Sequence, residues 1–350
     1  MNPAFRRRTY VLSALALLLL MGLTYWVVLR EYPLPKLREA LTLASPGLLV
    51  LALLCAACFV LGEAACIRAI LKPLGYRIPY GGALSYSLIG AYFSAITPSS
   101  SGGQPAQIYY MNKRGIPVAQ GTITMLLITV VYKLVLLAVG LPLAFIDAPV
   151  VFIGIPYFRV LFFLGIVVNI ALICGCLLLM FSKKTVYRLT DWLLRLMEHL
   201  HLHNRSEKTR ERLDRQLDEY HAAADYLAAH RGVMLKVIAL TVFQRLAVFT
   251  TAYCVYRAFG LDTLNWGDVI AIQAAISLAV DSLPLPGATG AAEGVFLGLY
   301  TSIYGQTLVV PALLLTRGAT YYLPALLSGL FTAGYVVYGS LTQRKKGKKT

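Results

Sequence analysis

Residues 81–112 decide how this chain is read. They begin Gly81-Gly82-Ala83-Leu84-Ser85-Tyr86-Ser87-Leu88-Ile89-Gly90-Ala91-Tyr92-Phe93-Ser94-Ala95-Ile96 and continue Thr97-Pro98-Ser99-Ser100-Ser101-Gly102-Gly103-Gln104-Pro105 before a second helical piece carrying Gln107, Tyr109 and Tyr110. The apolar run, 81–97, is uncharged yet short. At about 1.5 Å per residue it falls below the roughly 30 Å of a bilayer's hydrocarbon core. The second such stretch, 269–282, runs into Leu283-Pro284-Leu285-Pro286-Gly287-Ala288-Thr289-Gly290. Proline removes a backbone donor and glycine loosens the chain, so both stretches read as broken helices. Irregular backbone at membrane depth is tolerated only against protein or a wet cavity. The expectation is two re-entrant hairpins, 81–112 and 269–304, which align weakly through Pro98 with Pro286 and Gly102 with Gly290. A pair of interrupted helices in corresponding positions is the pattern of an inverted repeat in transporters; chance matching of proline and glycine in two loops is the plainer alternative.

The flanking sequence supplies the membrane. Of 350 residues, 58% are hydrophobic and 14% charged, with mean hydropathy +0.68. Soluble domains are about 45–50% apolar and about 25% charged, so an ordinary cytosolic enzyme, a disordered tail and a secreted disulfide scaffold are excluded. Full-length apolar spans are expected at 10–29, 41–67, 118–145, 160–181, 232–260 and 309–341. The first follows Arg6, Arg7 and Arg8 but exceeds the h-region of a signal peptide, roughly 7–15 residues, and reads as uncleaved. The fold class is therefore all-α, a polytopic helical membrane bundle with six full spans and two re-entrant hairpins. It divides into a first half, 1–181, a linker, 182–231, a second half, 232–341, and a basic tail, 342–350.

Net charge is +16, from 32 Lys and Arg against 16 Asp and Glu. With re-entrant hairpins both termini are cytoplasmic, and most basic residues fall on that side, as expected in a bacterial cytoplasmic membrane. The tail Arg344-Lys345-Lys346-Gly347-Lys348-Lys349 suits an anionic inner leaflet, and no nucleic-acid partner is expected. Within the linker, Leu189, Trp192, Leu193, Leu196 and Leu200 have helical spacing. They predict either an amphipathic helix at the headgroups or a solvated connector. His199, His201 and His203 alternate there and would fan around a helix, so no metal site is expected. Cys55, Cys58, Cys66, Cys174, Cys176 and Cys254 lie in apolar spans and read as small buried hydrophobes. No cofactor is expected.

Charged groups inside spans are costly, about 2.5–3.5 kcal/mol each at mid-helix on an insertion scale. Lys236, Arg257 and Arg159 lie near span ends and can snorkel, and Glu63 is ambiguous. Lys133, Arg245 and Arg317 are deep, and Asp281 and Glu293 flank the second hairpin tip. Two readings stay open: the acids pair with Arg245 and Arg317 to hold the bundle, or the arginines bind an anionic headgroup, since a guanidinium forks onto phosphate. Ser100, Ser101, Gly102, Gly103, Gln104 and Gln107 at the first tip, with Pro286, Gly287 and Gly290 at the second, would add hydroxyls, amides and open backbone N–H groups. Tyr109 and Tyr110 are expected to pack rather than to line a cavity.

Thr97-Pro98, Gly102-Gly103-Gln104-Pro105-Ala106-Gln107-Ile108-Tyr109-Tyr110 and Lys113-Arg114-Gly115, together with Leu285-Pro286-Gly287-Ala288-Thr289-Gly290-Ala291-Ala292-Glu293, resemble the flippase-like membrane domain of the lysylphosphatidylglycerol synthases, the bacterial multiple peptide resistance factors. The resemblance covers about residues 10–340. Many members carry Glu and Arg where this chain has Gln104 and Gln107. The resemblance implies a translocase for an anionic or aminoacylated phospholipid, such as lysyl-phosphatidylglycerol. Full-length members also transfer lysine from tRNA to phosphatidylglycerol through a cytosolic domain. No such domain is visible here, so lysyltransferase activity is not expected of this chain alone. A third possibility is a non-transporting scaffold for a separately encoded synthase. The implied partner is membrane phospholipid.

Overall fold

Pro46, whose missing N–H costs nothing in a first turn, opens α1 (Pro46–Leu71), and the preceding Ser45 N–H donates to Ala258 O at 2.8 Å. The computed structural model describes residues 42–146, 156–185, 188, 207–281, 283, 285 and 288–346. The expected span 10–29, the Leu189–Leu200 series, the three alternating histidines, Pro286 and Gly287 lie outside the described residues.

A short helix pair follows, α2 (Tyr80–Ile96) and α3 (Gly103–Lys113), then α4 (Val118–Ile146) and α5 (Pro156–Phe181). After α6 (Glu207–Ala229) the order repeats. A long helix, α7 (Arg231–Ala258), precedes a short one, α8 (Trp266–Val280), and then α9 (Ala291–Arg317). A π-helical turn (Gly318–Tyr322) joins α9 to α10 (Leu323–Lys346). Among the described residues all regular structure is helical, and five helical runs are long and apolar enough to cross a membrane. The fold is an all-α polytopic membrane bundle.

The last of those runs spans Ala291–Tyr335, longer than the expected 309–341. It is interrupted at Gly305, whose φ of 70° and ψ of 171° are non-helical. The segment Ala291–Tyr304 is thus a separate arm facing α8, and the long helix begins after Gly305. Asn265 caps α8 by accepting from the Gly267 and Asp268 amides at 2.7 and 3.2 Å, while Asp268 returns a bond to the Asn265 N–H at 2.8 Å.

Helix α8 is apolar all round and accordingly buried: Val269–Ile272, Ala274–Ile276 and Leu278–Val280 have almost no exposed surface. It sits against α4, α5 and α7 in the largest core cluster. Among the described residues the most extensive helix–helix contact joins α1 to α7, so a long helix from each half holds the halves together. Leu51 and Leu54 on α1 and Val160, Phe163, Leu164 and Val167 on α5 face outward, an apolar surface that suits lipid rather than water.

In the first hairpin α2 and α3 approach so closely that a Cβ on Gly103 would overlap Ser94 Oγ and lie 2.8 Å from Gly90 O. Glycine is required there by contact, not by turn geometry. The loop between the arms places Ser99 and Ser100 at φ of 51° and 54°. Such left-handed non-glycine backbone is strained and persists only where surroundings enforce it.

The described end of the linker, α6, is not detached from the bundle. Tyr220, Ala223, Ala224 and Leu227 are buried against Ile123, Val130 and Met180 of α4 and α5, because their spacing forms one apolar stripe. Nor are all six cysteines buried: Cys66 and Cys254 are, whereas Cys174 is exposed on the outer apolar surface and Cys55, Cys58 and Cys176 are half-buried.

Docking of α6 carries its own pH dependence. Burial, with Lys183 next in weight, holds His221 below the ordinary histidine range, and its Nε2 has no hydrogen-bond partner. The unfolded chain takes up the proton near pH ~6.5 and the folded chain resists it. The docking contribution is therefore complete above that range and is lost as pH falls through and below it. Hydrogen–deuterium protection factors over residues 217–227, taken relative to intrinsic exchange at each pH, should fall on acidification, and His221→Gln should flatten that fall; equal profiles would refute the assignment. For the hairpin, Gly103→Ala should cost about 1–3 kcal/mol by overpacking, read as a lower unfolding midpoint in micelles. Gly47→Ala, whose new Cβ meets nothing within 4 Å, should leave the midpoint unchanged.

Candidate functional site

Lys133, Arg245, Asp281, Glu293 and Arg317 gather in two clusters built on the second hairpin. Asp281 follows α8 directly. Its Oδ2 accepts from the Tyr132 hydroxyl of α4 at 3.0 Å, and that hydroxyl accepts from Arg245 Nη1 of α7 at 2.6 Å. Arg245 Nη1 and Asp281 Oδ2 themselves stand 4.0 Å apart. Tyr132 is thus a bridge, and the arginine does not close directly on the acid. Arg245 is 5% exposed, and its guanidinium lies over the rings of Tyr132, Phe249 and Phe59, at 4.4, 5.4 and 5.2 Å from their centroids. Its Nε–H is buried without a hydrogen-bond partner. Lys133, also buried, sits within electrostatic range of Asp281 and Arg245.

The second cluster is tighter. Glu293 is 3% exposed, and its Oε2 accepts the Gly290 N–H at 2.6 Å, capping α9. Its Oε1 accepts from Arg317 Nε at 2.9 Å and from the Tyr322 hydroxyl at 3.2 Å. Arg317 also lies over the Tyr321 ring at 4.6 Å. The π turn displaces the helix directly after Arg317 and carries both tyrosines; such turns recur at functional positions. The two arginines therefore differ: Arg317 is closed onto a carboxylate, whereas Arg245 keeps an unpartnered donor.

The first hairpin presents a different chemistry. Gln107 Nε2 donates to Glu63 Oε1 of α1 at 2.8 Å, and Ser87 Oγ to Glu63 Oε2 at 2.7 Å. Gln104 Nε2 donates to Thr129 Oγ1 of α4. The Gly102 N–H is taken by Thr97 Oγ1 at 2.9 Å, and Ser101 Oγ donates to Pro98 O at 2.8 Å. These tip groups are largely used in holding the loop. The two tips also touch, since Ser99 Oγ donates to Leu283 O at 3.3 Å. Tyr110 is buried and Tyr109 half exposed, with rings 5.2 Å apart and Lys113 Nζ 4.7 Å from the Tyr109 centroid.

Geometry joins Arg245 to Asp281 and Arg317 to Glu293, and joins Gln107 to α1, but ties Gln104 to α4. Reading the sequence leaves out Tyr132, Tyr322 and Ser87. One signal was available: a hydroxyl-bearing residue next to an intramembrane charge, as Tyr132 is beside Lys133. An apolar cavity of about 420 Å³ lies apart from the tips, walled by Leu49, Leu53, Val255, Leu315, Leu326 and, at its polar edge, Tyr322. Among the described residues no group of three or more His, Cys, Asp or Glu could hold a metal ion.

Together these features define a class: a polytopic membrane protein whose broken-helix hairpins meet at their tips and bring charged side chains among apolar helices. The family described as lysylphosphatidylglycerol synthase TM region matches residues 13–328. The chain belongs to that family. No curated protein matches it.

Tyr132 is the testable centre of the first cluster. Tyr132→Phe removes both a donor to Asp281 and an acceptor for Arg245, and a hydrogen bond to a charged group contributes about 1.5–3 kcal/mol. Unfolding in micelles should show a loss of that order. Tyr132→Phe with Asp281→Asn should cost less than the sum of the singles; strict additivity would mean that the bridge carries no coupling.

Proposed function

We propose that the chain is a lipid translocase, moving an anionic or aminoacylated phospholipid such as lysyl-phosphatidylglycerol between leaflets of the bacterial cytoplasmic membrane. The observation that carries this reading is Arg245. A guanidinium taken deep among apolar helices is costly, and one left with a buried, unpartnered Nε–H has donor capacity that the protein itself does not use. A phosphate diester accepts such donors in parallel pairs. Asp281, held 4.0 Å away through Tyr132, orients the guanidinium and offers an anion to a cationic lysyl headgroup. Ser100, Ser101, Gly102 and Gly103 shape the facing tip, with Pro286, Gly287 and Gly290 as its proposed counterpart, and Gln104 and Gln107 fix it to neighbouring helices. The apolar cavity beside Tyr322 suits an acyl chain. Membership of the lysylphosphatidylglycerol synthase family supports the substrate class, and a separately encoded lipid-modifying synthase would supply the lysyl lipid.

A second reading has its own support. The direct Arg317–Glu293 pair at 2.9 Å is what a bundle-holding ion pair would look like, and a non-transporting scaffold for a separate synthase needs no more. Vesicles of phosphatidylglycerol and phosphatidylethanolamine containing the purified chain decide between them. Labelled phosphatidylglycerol or its lysyl form should exchange between leaflets faster than in protein-free vesicles. Arg245→Gln should abolish that excess while the protein remains folded. A scaffold would give no excess to lose.

A further inference from the structure

Outside the two arginine clusters, one intramembrane carboxylate has a different setting. Glu63 lies within α1, and among the described residues no cation stands within ion-pair distance of it. Its partners are neutral: Gln107 Nε2 at 2.8 Å on Oε1 and Ser87 Oγ at 2.7 Å on Oε2. Ser87 Oγ is also 2.9 Å from Val60 O, a carbonyl of the same helix α1. A hydroxyl has one proton to give, so its two acceptors cannot both be served at once.

That apparent excess is resolved if the carboxyl group has two states. With Glu63 ionised, the Ser87 hydroxyl donates to Oε2. With Glu63 protonated, Oε2–H donates to Ser87 Oγ, and the hydroxyl turns to donate to Val60 O. Gln107 donates to Oε1 in both. Every polar atom keeps a partner in either state, with no heavy atom moved. An ion pair could not do this, since neutralising one member strands the other.

We propose that Glu63, with Ser87 and Gln107, is a reversible proton-binding site, and that its protonation controls how firmly the first hairpin is held to α1. Uptake forms an O–H bond at Oε2 and breaks one on hydronium, leaving water; release is the reverse. The mechanical consequence follows from which elements are joined. Ser87 is on α2 and Gln107 on α3, so both arms of the hairpin hold one carboxylate. Hydrogen bonds to a carboxylate are roughly twice as strong as those to a neutral acid, so protonation loosens both arms together. Gly90 is part of the device, because a Cβ there would overlap the Gln107 amide. The other titratable or charged side chains on the helices around α1 are Tyr80, Tyr86 and Tyr92 on α2, Tyr109, Tyr110 and Lys113 on α3, Tyr132 and Lys133 on α4, Arg231, Lys236, Arg245, Tyr253, Cys254, Tyr256 and Arg257 on α7, and Tyr321 and Tyr322 on the π turn; Tyr80 bonds to Leu61 O at 2.7 Å. Arg245 and Lys133 belong with Asp281 and Tyr132, and Tyr322 with Glu293. On α1 itself, Cys66 interacts electrostatically with Glu63 and bonds to Thr241.

The coupling role rests on the translocase reading; the proton site does not. Infrared difference spectra of the full chain in nanodiscs, recorded across a pH titration, should contain a protonated-carboxyl carbonyl band that grows on acidification and is missing from Glu63→Gln. Gln107→Arg, which sets a fixed cation beside Oε1, should suppress the same band and serves as the second variant if Glu63→Gln does not fold. Spectra identical in wild type and both variants overturn the site. In the phosphatidylglycerol vesicles, lipid exchange by the wild type should respond to a pH gradient, and Glu63→Gln should exchange at one rate whatever the gradient. Exchange indifferent to the gradient in the wild type overturns the coupling. No exchange at all removes the translocase reading and the coupling with it, while the infrared titration still decides the site.

Discussion

Backbone N–H and C=O groups taken out of water must find partners within the protein, and that constraint shapes both hairpin loops. Where α2 ends, Thr97 Oγ1 turns back to take the Gly102 N–H. Where α9 begins, the Glu293 carboxylate takes the Gly290 N–H. The loops then share a bond, from Ser99 Oγ to Leu283 O. Two left-handed serines are tolerated because the surrounding contacts hold them. Glu293 satisfies a helix start and an arginine with its two oxygens, so loop architecture and charge placement are one problem with one solution.

The two halves answer the intramembrane charge cost differently. In the second half, acids and arginines meet, one pair directly and the other through a phenol. In the first half a carboxylate meets amide and hydroxyl donors. This asymmetry exists beneath a shared element order, long helix, short arm, short arm, long helix, which the weak Pro98–Pro286 and Gly102–Gly290 correspondence had outlined. Arg245 and Arg317 have the same chemistry in sequence and separate roles in the fold, since only one of them closes onto its acid.

Much of the architecture was legible because hydropathy acts over whole helices. The spans near 41–67, 118–145, 160–181 and 232–260 correspond to α1, α4, α5 and α7 within a few residues, and family membership follows the loop motifs. Pairing of Asp281 and Glu293 with the two arginines was one of two readings left open, since charge sign sets who can meet but not at what distance. Tyr132 and Ser87 were not legible as site residues. Aromatic and hydroxyl side chains abound in apolar helices, and only the crossing of α4 with α7, or of α2 with α1, shows which reach a charge. The docking of α6 was missed because its many charges outweighed a single buried stripe.

The break at Gly305 has a genetic consequence. Helix runs on both sides of it between Ala291 and Tyr335, and the residue that ends the arm and begins the long helix carries no side chain. Any other residue at 305 would need to hold a φ of 70° against the steric preference of its own Cβ. A codon that contributes no functional group thus sets the path of the second half, and a change there would alter the course of the chain rather than its chemistry.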